Sequence, residues 1–200
     1  MPASIYTRLT REASKSNIDL RTKSNESMTW LENKYSKLNP NNAKPQRFIN
    51  QAGRKRDAVK VGRMYMFSYD PKTKNDLPYY DRFPLIFAVD FDKDGFYGIN
   101  LHYLPPVLRA KLFDALWEIT GNKDNMNEQT KIQLSYKLLK SATRFRYFKP
   151  CFKRYLYGHT KSEFIYVPPE EWAMSLFVPS EQFRKATKEK VWSDSRKMVV

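Results

Sequence analysis

Pro84-Leu85-Ile86-Phe87-Ala88-Val89-Asp90-Phe91-Asp92-Lys93-Asp94-Gly95-Phe96-Tyr97-Gly98-Ile99-Asn100-Leu101-His102-Tyr103 is the stretch on which the fold turns. Two apolar, aromatic-rich runs flank a short polar break. That pattern predicts a strand over 84–91, a turn over 92–95 and a strand over 96–103, with Asp94-Gly95 supplying the positive φ angles of a tight hairpin. The same residues open like a calcium loop, with Asp90, Asp92, Asp94 and Gly95 in the Asp-x-Asp-x-Asp-Gly pattern. The position that should hold a bidentate carboxylate is Leu101, and the flanks read as strands, so the hairpin is the better account.

Outward from the hairpin, Met64, Tyr65, Met66, Phe67 and Tyr69 suggest a strand over 61–69, followed by a turn-rich loop over 70–76. Three closely spaced strands predict a small antiparallel sheet or an SH3-like barrel. Pro105-Pro106 ends the strand run. Helices are expected over 107–119, on a stripe of Leu108, Leu112, Leu116 and Ile119, and over 128–141, on Ile132, Tyr136 and Leu139. Phe164 to Val167 could return as a strand, and Pro168-Pro169 starts a brief helix over 170–176. On the other side, Ser24 or Asn25 could cap a helix over 26–37, stopped by Asn39-Pro40-Asn41-Asn42, and a basic connector runs from Arg47 to Arg56. The expected class is α+β: a small antiparallel sheet or SH3-like barrel with packed helices and a helical N-terminal arm. It divides into a basic arm over 1–58, a core domain over 59–180 and a basic tail over 181–200.

The charge is placed unevenly. The chain of 200 residues carries a formal +15. Residues 1–60 hold 13 Lys and Arg against 5 Asp and Glu; residues 61–120 hold 7 against 8; residues 121–200 hold 16 against 8. A near-neutral, aromatic middle between two basic flanks favours a polyanionic partner, because each phosphate neutralised by Lys or Arg releases condensed counterions. Apolar residues make up 41% of the chain, which argues against wholesale disorder. No run reaches the roughly 18 apolar residues of a membrane span, so no membrane partner is expected. Met1 to Leu20 shows no secretory apolar region, which suggests the cytosol or a particle assembled there. A single cysteine, Cys151, excludes an intrachain disulfide and reads as a small buried hydrophobe.

The strongest chemical signal is 137–157, where cations interleave with Phe145, Tyr147, Phe148, Phe152, Tyr155 and Tyr157. Lys and Arg can track a phosphate backbone while aromatic faces stack on unpaired bases. The same pattern also fits an ordinary half-buried segment, or a contact with an acidic protein. The candidate nucleic-acid-binding residues are Arg54, Lys55, Arg56, Lys140, Arg144, Arg146, Tyr147, Phe148, Lys149, Lys153 and Arg154. Arg184, Lys185, Lys188, Lys190, Arg196 and Lys197 would extend the footprint. His102 and His159 stand in no metal-ligand spacing and read as packing or surface residues. No Gly-rich phosphate loop and no nucleophile elbow is present. Asp19 with Glu32-Asn33-Lys34 fits a nuclease pattern only loosely, on a polar helix. No catalytic residue, metal or cofactor is therefore assigned.

Several longer segments carry a resemblance: Gly62-Arg63-Met64-Tyr65-Met66-Phe67, Tyr69-Asp70-Pro71-Lys72, Leu77-Pro78-Tyr79-Tyr80-Asp81, Phe83-Pro84-Leu85-Ile86 and Gly98-Ile99-Asn100-Leu101-His102-Tyr103-Leu104-Pro105. Arg109-Ala110-Lys111-Leu112, Tyr147-Phe148-Lys149-Pro150-Cys151 and Val191-Trp192-Ser193-Asp194-Ser195-Arg196-Lys197 continue it. Over about 60–197 the chain resembles virion proteins of T4-type tailed phages, most nearly the DNA end protector family. The resemblance implies a non-enzymatic minor virion protein that binds the ends of packaged double-stranded DNA and shields them from host exonuclease. Its places would be the virion, and the host cytoplasm during assembly and after injection. It implies no individual site residue; the candidates above come from charge and aromatic content. One rival is a structural connector in the neck, tail or baseplate, whose basic arms dock on acidic neighbouring virion proteins. The other is a hydrolase built on Asp70, Asp76, Asp81, Asp90, Asp92 and Asp94.

Overall fold

The computed structural model describes residues 12, 14–17, 30, 33, 53–105, 108, 109, 112, 136, 137, 146–168, 172 and 180–198, with the backbone alone at 146 and 147. They form a sheet-rich α+β structure. The strands are β1 (Lys55–Arg56), β2 (Met64–Met66), β3 (Tyr80–Asp81), β4 (Leu85–Phe91), β5 (Gly95–Asn100), β6 (Phe152–Leu156), β7 (Phe164–Val167) and β8 (Phe183–Arg184). Helix α1 spans Lys188–Lys197. Six strands make one antiparallel sheet in the order β1-β7-β2-β4-β5-β6, and β3 pairs with β8 in a separate ribbon.

The hairpin forms where the sequence places it. The Asp92 amide donates to the Gly95 carbonyl at 3.0 Å, and the Asp92 carboxylate accepts from the Asp94 amide at 3.0 Å. The Asp carboxylates of the calcium-like motif thus serve the turn itself. Gly95 works differently from the expectation, because its φ is not positive. It opens β5, and a Cβ there would sit 2.1 Å from the carbonyl oxygen of Tyr155 on β6. The positive-φ glycine near the hairpin is Gly62, at +78°, which turns the chain into β2. That turn is why regular pairing begins at Met64 and not at residue 61. The strand expected over 96–103 stops at Asn100, whose side chain accepts from the His102 amide and caps a 3₁₀ turn over Leu101–Tyr103.

Period-two alternation sorts the sheet into two apolar faces. Met64, Met66, Leu85, Phe87, Val89, Ile99, Ile165 and Val167 share one core with Trp172 and Val191. Tyr65, Phe67, Ile86, Phe96, Tyr155, Phe164 and Tyr166 fill the other. In the second core the rings of Phe96 on β5 and Phe164 on β7 lie 5.5 Å apart. Two strands separate β5 from β7, which in a flat sheet would hold them about 14 Å apart. The sheet therefore curls tightly around its aromatic face. The curl is helped by a register shift between Ala88 and Asp90.

Beyond β2 the chain pairs with the segment that links β6 to β7. Tyr69 bridges Thr160, the Lys161 amide donates to Ser68 O at 2.8 Å, and the Asp70 amide donates to His159 O at 3.0 Å. Cys151 is buried, and burial pushes its thiol up to about 12, as a small core residue requires. Of the expected helices, Trp30, Asn33, Leu108, Arg109, Leu112, Tyr136, Lys137 and Trp172 are helical; the rest of those spans lies outside the described residues. The basic stretch 181–200 contains β8 and α1. Thr187 caps α1 by accepting from the Lys190 amide, and Val191 anchors the helix in the core.

Candidate nucleic-acid interface

The β3–β8 ribbon organises the site. Tyr80 stands opposite Arg184, and Asp81 opposite Phe183. Strand alternation sends Asp81 inward and leaves Tyr80 and Arg184 together on the outer face. Arg82, two residues on from Tyr80, joins that face, its amide held by Gln182 O at 3.0 Å.

Inward, Asp81 is a hub. Its Oδ1 accepts from the amides of Phe83 (3.0 Å) and Gln182 (3.4 Å), and its Oδ2 accepts from Asn100 Nδ2 at 3.1 Å. The Nδ1 of His102 lies 2.6 Å from Oδ2, and its Nε2 lies 2.9 Å from Ser180 Oγ. Asn100 also donates to the Tyr155 hydroxyl at 3.0 Å. Asp81, His102 and Ser180 have the connectivity of a nucleophilic triad. Ser180, however, is 4% exposed and lines neither of the clefts described below. The trio is a buried polar network, reached from the first cleft only at Asp81, that fastens the 180–184 segment to the sheet. Trp192 of α1 adds to it by donating to His102 O at 2.8 Å. Buried Arg109 donates to Leu104 O at 2.7 Å and ion-pairs with Glu181. Burial alone would raise the Glu181 carboxyl, but Arg109 and His102 outweigh it and hold it below its ordinary value.

Against this core lies a cleft in two lobes that share Tyr69 and Tyr80, with Asp81, Asp94 and Asn100 in the wall of the first. The first encloses about 720 Å³ between the 71–80 loop and the 153–159 segment. Lys72, Lys153, Arg154 and His159 bring positive or chargeable groups, and Tyr79, Tyr80 and Tyr103 bring aromatic wall. Lys153 sits with its ammonium 4.2 Å from the centre of the Tyr103 ring, and burial holds it below its ordinary pKa. Arg154 is ion-paired with Asp92; its hydrogen bond holds the Asp92 carboxyl down at about 2.

The second lobe encloses about 900 Å³ and is more one-sided. Lys74, Arg82, Lys161, Arg184 and Lys185 face a single carboxylate, Asp70. Lys74 already neutralises Asp70 at 3.0 Å and lowers its pKa. Lys185, at φ +67°, turns its ammonium onto the carbonyls of Lys74, Asn75 and Leu77 at 2.8–3.0 Å, which fixes the loop against β8. The side chains of Arg82, Lys161 and Arg184 make no ion pair or hydrogen bond among the described residues, although Lys161 lies near enough to Asp70 to help lower its pKa.

Of the principal sequence candidates Lys153 and Arg154, both on β6, line this cleft, and Arg184 and Lys185 of the basic tail join them in the second lobe. Arg54, Lys55 and Arg56 gather at β1, the other edge strand of the six-stranded sheet. There Lys55 pairs with Glu163 at 2.6 Å, and the guanidiniums of Arg56 and Arg63 sit 5.7 and 5.1 Å from the centre of the Tyr166 ring. Lys149 is exposed at the end of the 3₁₀ segment Arg146–Cys151, whereas Phe148 packs on the core. Lys140 and Arg144 lie outside the described residues, as do the side chains of Arg146 and Tyr147. Among the aromatics of 145–157, Tyr155 is buried, while Phe152 (38% exposed) and Tyr157 (41%) reach solvent. Phe152 stacks on Tyr97 at an interplanar angle of 9°.

Sequence reasoning missed Lys72, Lys74, Tyr80, Arg82 and Lys161. Each stands alone in the chain, and only the pairing of β3 with β8 and of Ser68 with Lys161 collects them. The one available signal was Tyr80-Asp81-Arg82, an outward–inward–outward triplet. Among the described residues no group of three or more His, Cys, Asp or Glu could hold a metal ion, and no helix is long and apolar enough to cross a membrane. No curated protein and no solved structure matches the chain. A family model does, described as Phage T4 terminal DNA protecting protein, and it aligns with residues 14–197. The match runs well upstream of the segments that carried the resemblance in the sequence and spans most of the chain, which therefore belongs to the Phage T4 terminal DNA protecting protein family.

Proposed function

We propose that this protein binds the ends of duplex DNA and shields them from exonuclease by occupying the terminus. The observation that carries the reading is membership of a terminal DNA protecting family over residues 14–197. The two-lobed cleft gives that role a place on the molecule. Its cations come from three chain segments, and the paired backbone under Arg82, Lys161 and Arg184 fixes the spacing from which they can meet a phosphate backbone. Exposed Phe152 and Tyr157, at the two ends of β6 beside the first lobe, are suited to stacking on a frayed terminal base pair. Arg54, Lys55, Arg56, Lys149, Lys153 and Arg154 would add phosphate contacts, with Lys140, Arg144, Arg146, Tyr147 and Phe148 completing the footprint proposed from sequence. The basic segments 1–58 and 181–200 would flank this core. The protein would travel in the virion beside other virion proteins, and act in the host cytoplasm after injection.

We also read the curled sheet as SH3-like. In support, β2, β4, β5 and β6 follow one another antiparallel, a 3₁₀ turn over Tyr157–His159 links β6 onward, and β7 returns to β2. The direct test compares binding to linear duplex with binding to a covalently closed circle of the same sequence, at two salt concentrations, while exonuclease digestion of the linear form is followed. End-selective binding that weakens with salt and delays digestion is expected. Equal binding to circle and linear DNA, with no protection, would refute the role.

A further inference from the structure

The second lobe of the cleft holds more positive charge than an internal phosphodiester uses. Arg82 and Arg184 stand on one face of the β3–β8 ribbon, and Lys161 faces them from the strand-like segment paired with Ser68. None of the three makes an ion pair among the described residues, and the one carboxylate in the lobe, Asp70, is bound by Lys74, with Lys161 adding only a longer-range attraction to it. Their backbones are fixed: Arg82 by its bond to Gln182 O, Arg184 by the ribbon, and Lys161 by its bond to Ser68 O. Lys185, bonded to three carbonyls, locks the neighbouring loop in place. Two guanidinium forks and an ammonium that line one lobe, with no ion pair of their own, match a compact group of high negative charge with several acceptor oxygens. An internal phosphodiester carries one negative charge. A phosphomonoester carries about −1.5 to −2 at neutral pH and offers three terminal oxygens. In a duplex that group exists only at a terminus.

We propose that this lobe seats the terminal phosphomonoester of a duplex end, so that the phosphate itself distinguishes an end from the interior of DNA. The proposal rests on the reading of the protein as an end binder and adds the chemical group it recognises. Tyr80, on the same ribbon face and shared with the first lobe, then sits between the terminal phosphate and the cations that follow the next phosphates.

The test uses the full chain and four short blunt duplexes of one sequence. One carries 5′-phosphates, one carries 3′-phosphates, one carries only hydroxyl termini, and one is closed at both ends by hairpin loops. Binding is read by competition against a labelled duplex at fixed salt. One phosphorylated form should bind about tenfold more tightly than the hydroxyl form, the size of one charge-assisted contact, and the 5′ and 3′ arms show which terminus is read. In Arg82→Gln/Arg184→Gln that preference should vanish, while binding to the hydroxyl duplex falls by a smaller factor. Both side chains are exposed and their backbone bonds persist, so the variant should keep the native melting temperature; Lys161→Gln is a milder second variant expected to halve the preference or more. If phosphorylated and hydroxyl ends bind alike, yet both outcompete the closed duplex, the phosphate proposal falls and end binding stands. If the closed duplex competes equally with every linear form, end binding itself falls. A phosphate preference that survives in both variants would place the seat elsewhere and overturn the assignment to this lobe.

Discussion

Asp81 shows how one side chain can serve both the fold and the site. It stands between Tyr80 and Arg82, which face the cleft, and its own carboxylate accepts four hydrogen bonds in the interior. A carboxylate only accepts, so the 2.6 Å contact puts a proton of His102 on Nδ1, while Nε2 meets the Ser180 hydroxyl at 2.9 Å. Asp81→Ala would leave the Asn100 amide, the His102 ring and the amide of Phe83 without their acceptor in a dry environment. Each unsatisfied buried donor costs roughly 1–3 kcal/mol, partly relieved by entering water, so a loss of about 3 kcal/mol is expected in chemical denaturation. Asp81→Asn keeps one acceptor oxygen and should cost clearly less. The measurement also tests whether Asp81, His102 and Ser180 act as one network. A structural hub predicts stability losses at Asp81, His102 and Ser180 that are strongly non-additive, since the three share one network. Additive losses would mean that the three act independently.

At the scale of elements, the hairpin is the piece most legible in the sequence, because its two strands are local, apolar and joined by a turn with its own chemistry. What joins it to β6 is not legible. Gly95 reads as a turn residue, but the structure gives it a packing role against the Tyr155 carbonyl. Gly95→Ala should therefore push β6 from β5 and destabilise the fold by about 2 kcal/mol, the usual size of an overpacking cost. Amide exchange at Phe96 and Tyr155, which face each other across that pair, should rise more than exchange at Met64 and Phe87 on the β2–β4 pair. Uniform change across the sheet would instead indicate global destabilisation without local separation. The two-residue strands β1, β3 and β8 were hidden from sequence reading for a related reason. Each is too short to show a period and exists only because a distant partner supplies its ladder. The cleft proposed to bind DNA depends on β3 and β8, so it was less legible than the hairpin that supports it.

At the scale of the whole molecule, the net charge points correctly to a polyanion, but the runs of charge do not mark the cleft. The middle third of the chain is near neutral in total, yet it supplies Lys72, Lys74 and Arg82 to the cleft, while its acids are spent locally: Asp70 on Lys74, Asp92 on Arg154 and Asp81 in the core. By contrast, the basic run Arg54-Lys55-Arg56 is partly consumed by Glu163, by the Tyr166 ring and by the carbonyls of Gly53 and Lys55 that Arg56 holds at 2.8 and 2.7 Å. A phosphate gains most from a cation that has no other partner. The dependence of duplex affinity on salt reads this directly, because each neutralised phosphate adds about −0.9 to the slope of log K against log salt. Replacing Arg82, Lys161 and Arg184 together with Gln should therefore flatten the slope by about 2 to 3. Replacing Arg54, Lys55 and Arg56 with Gln should flatten it by about 1 or less, because these groups already spend much of their charge within the protein. The reverse ranking would move the DNA path from the cleft to the β1 edge, whose run of three consecutive cations is among the sequence candidates.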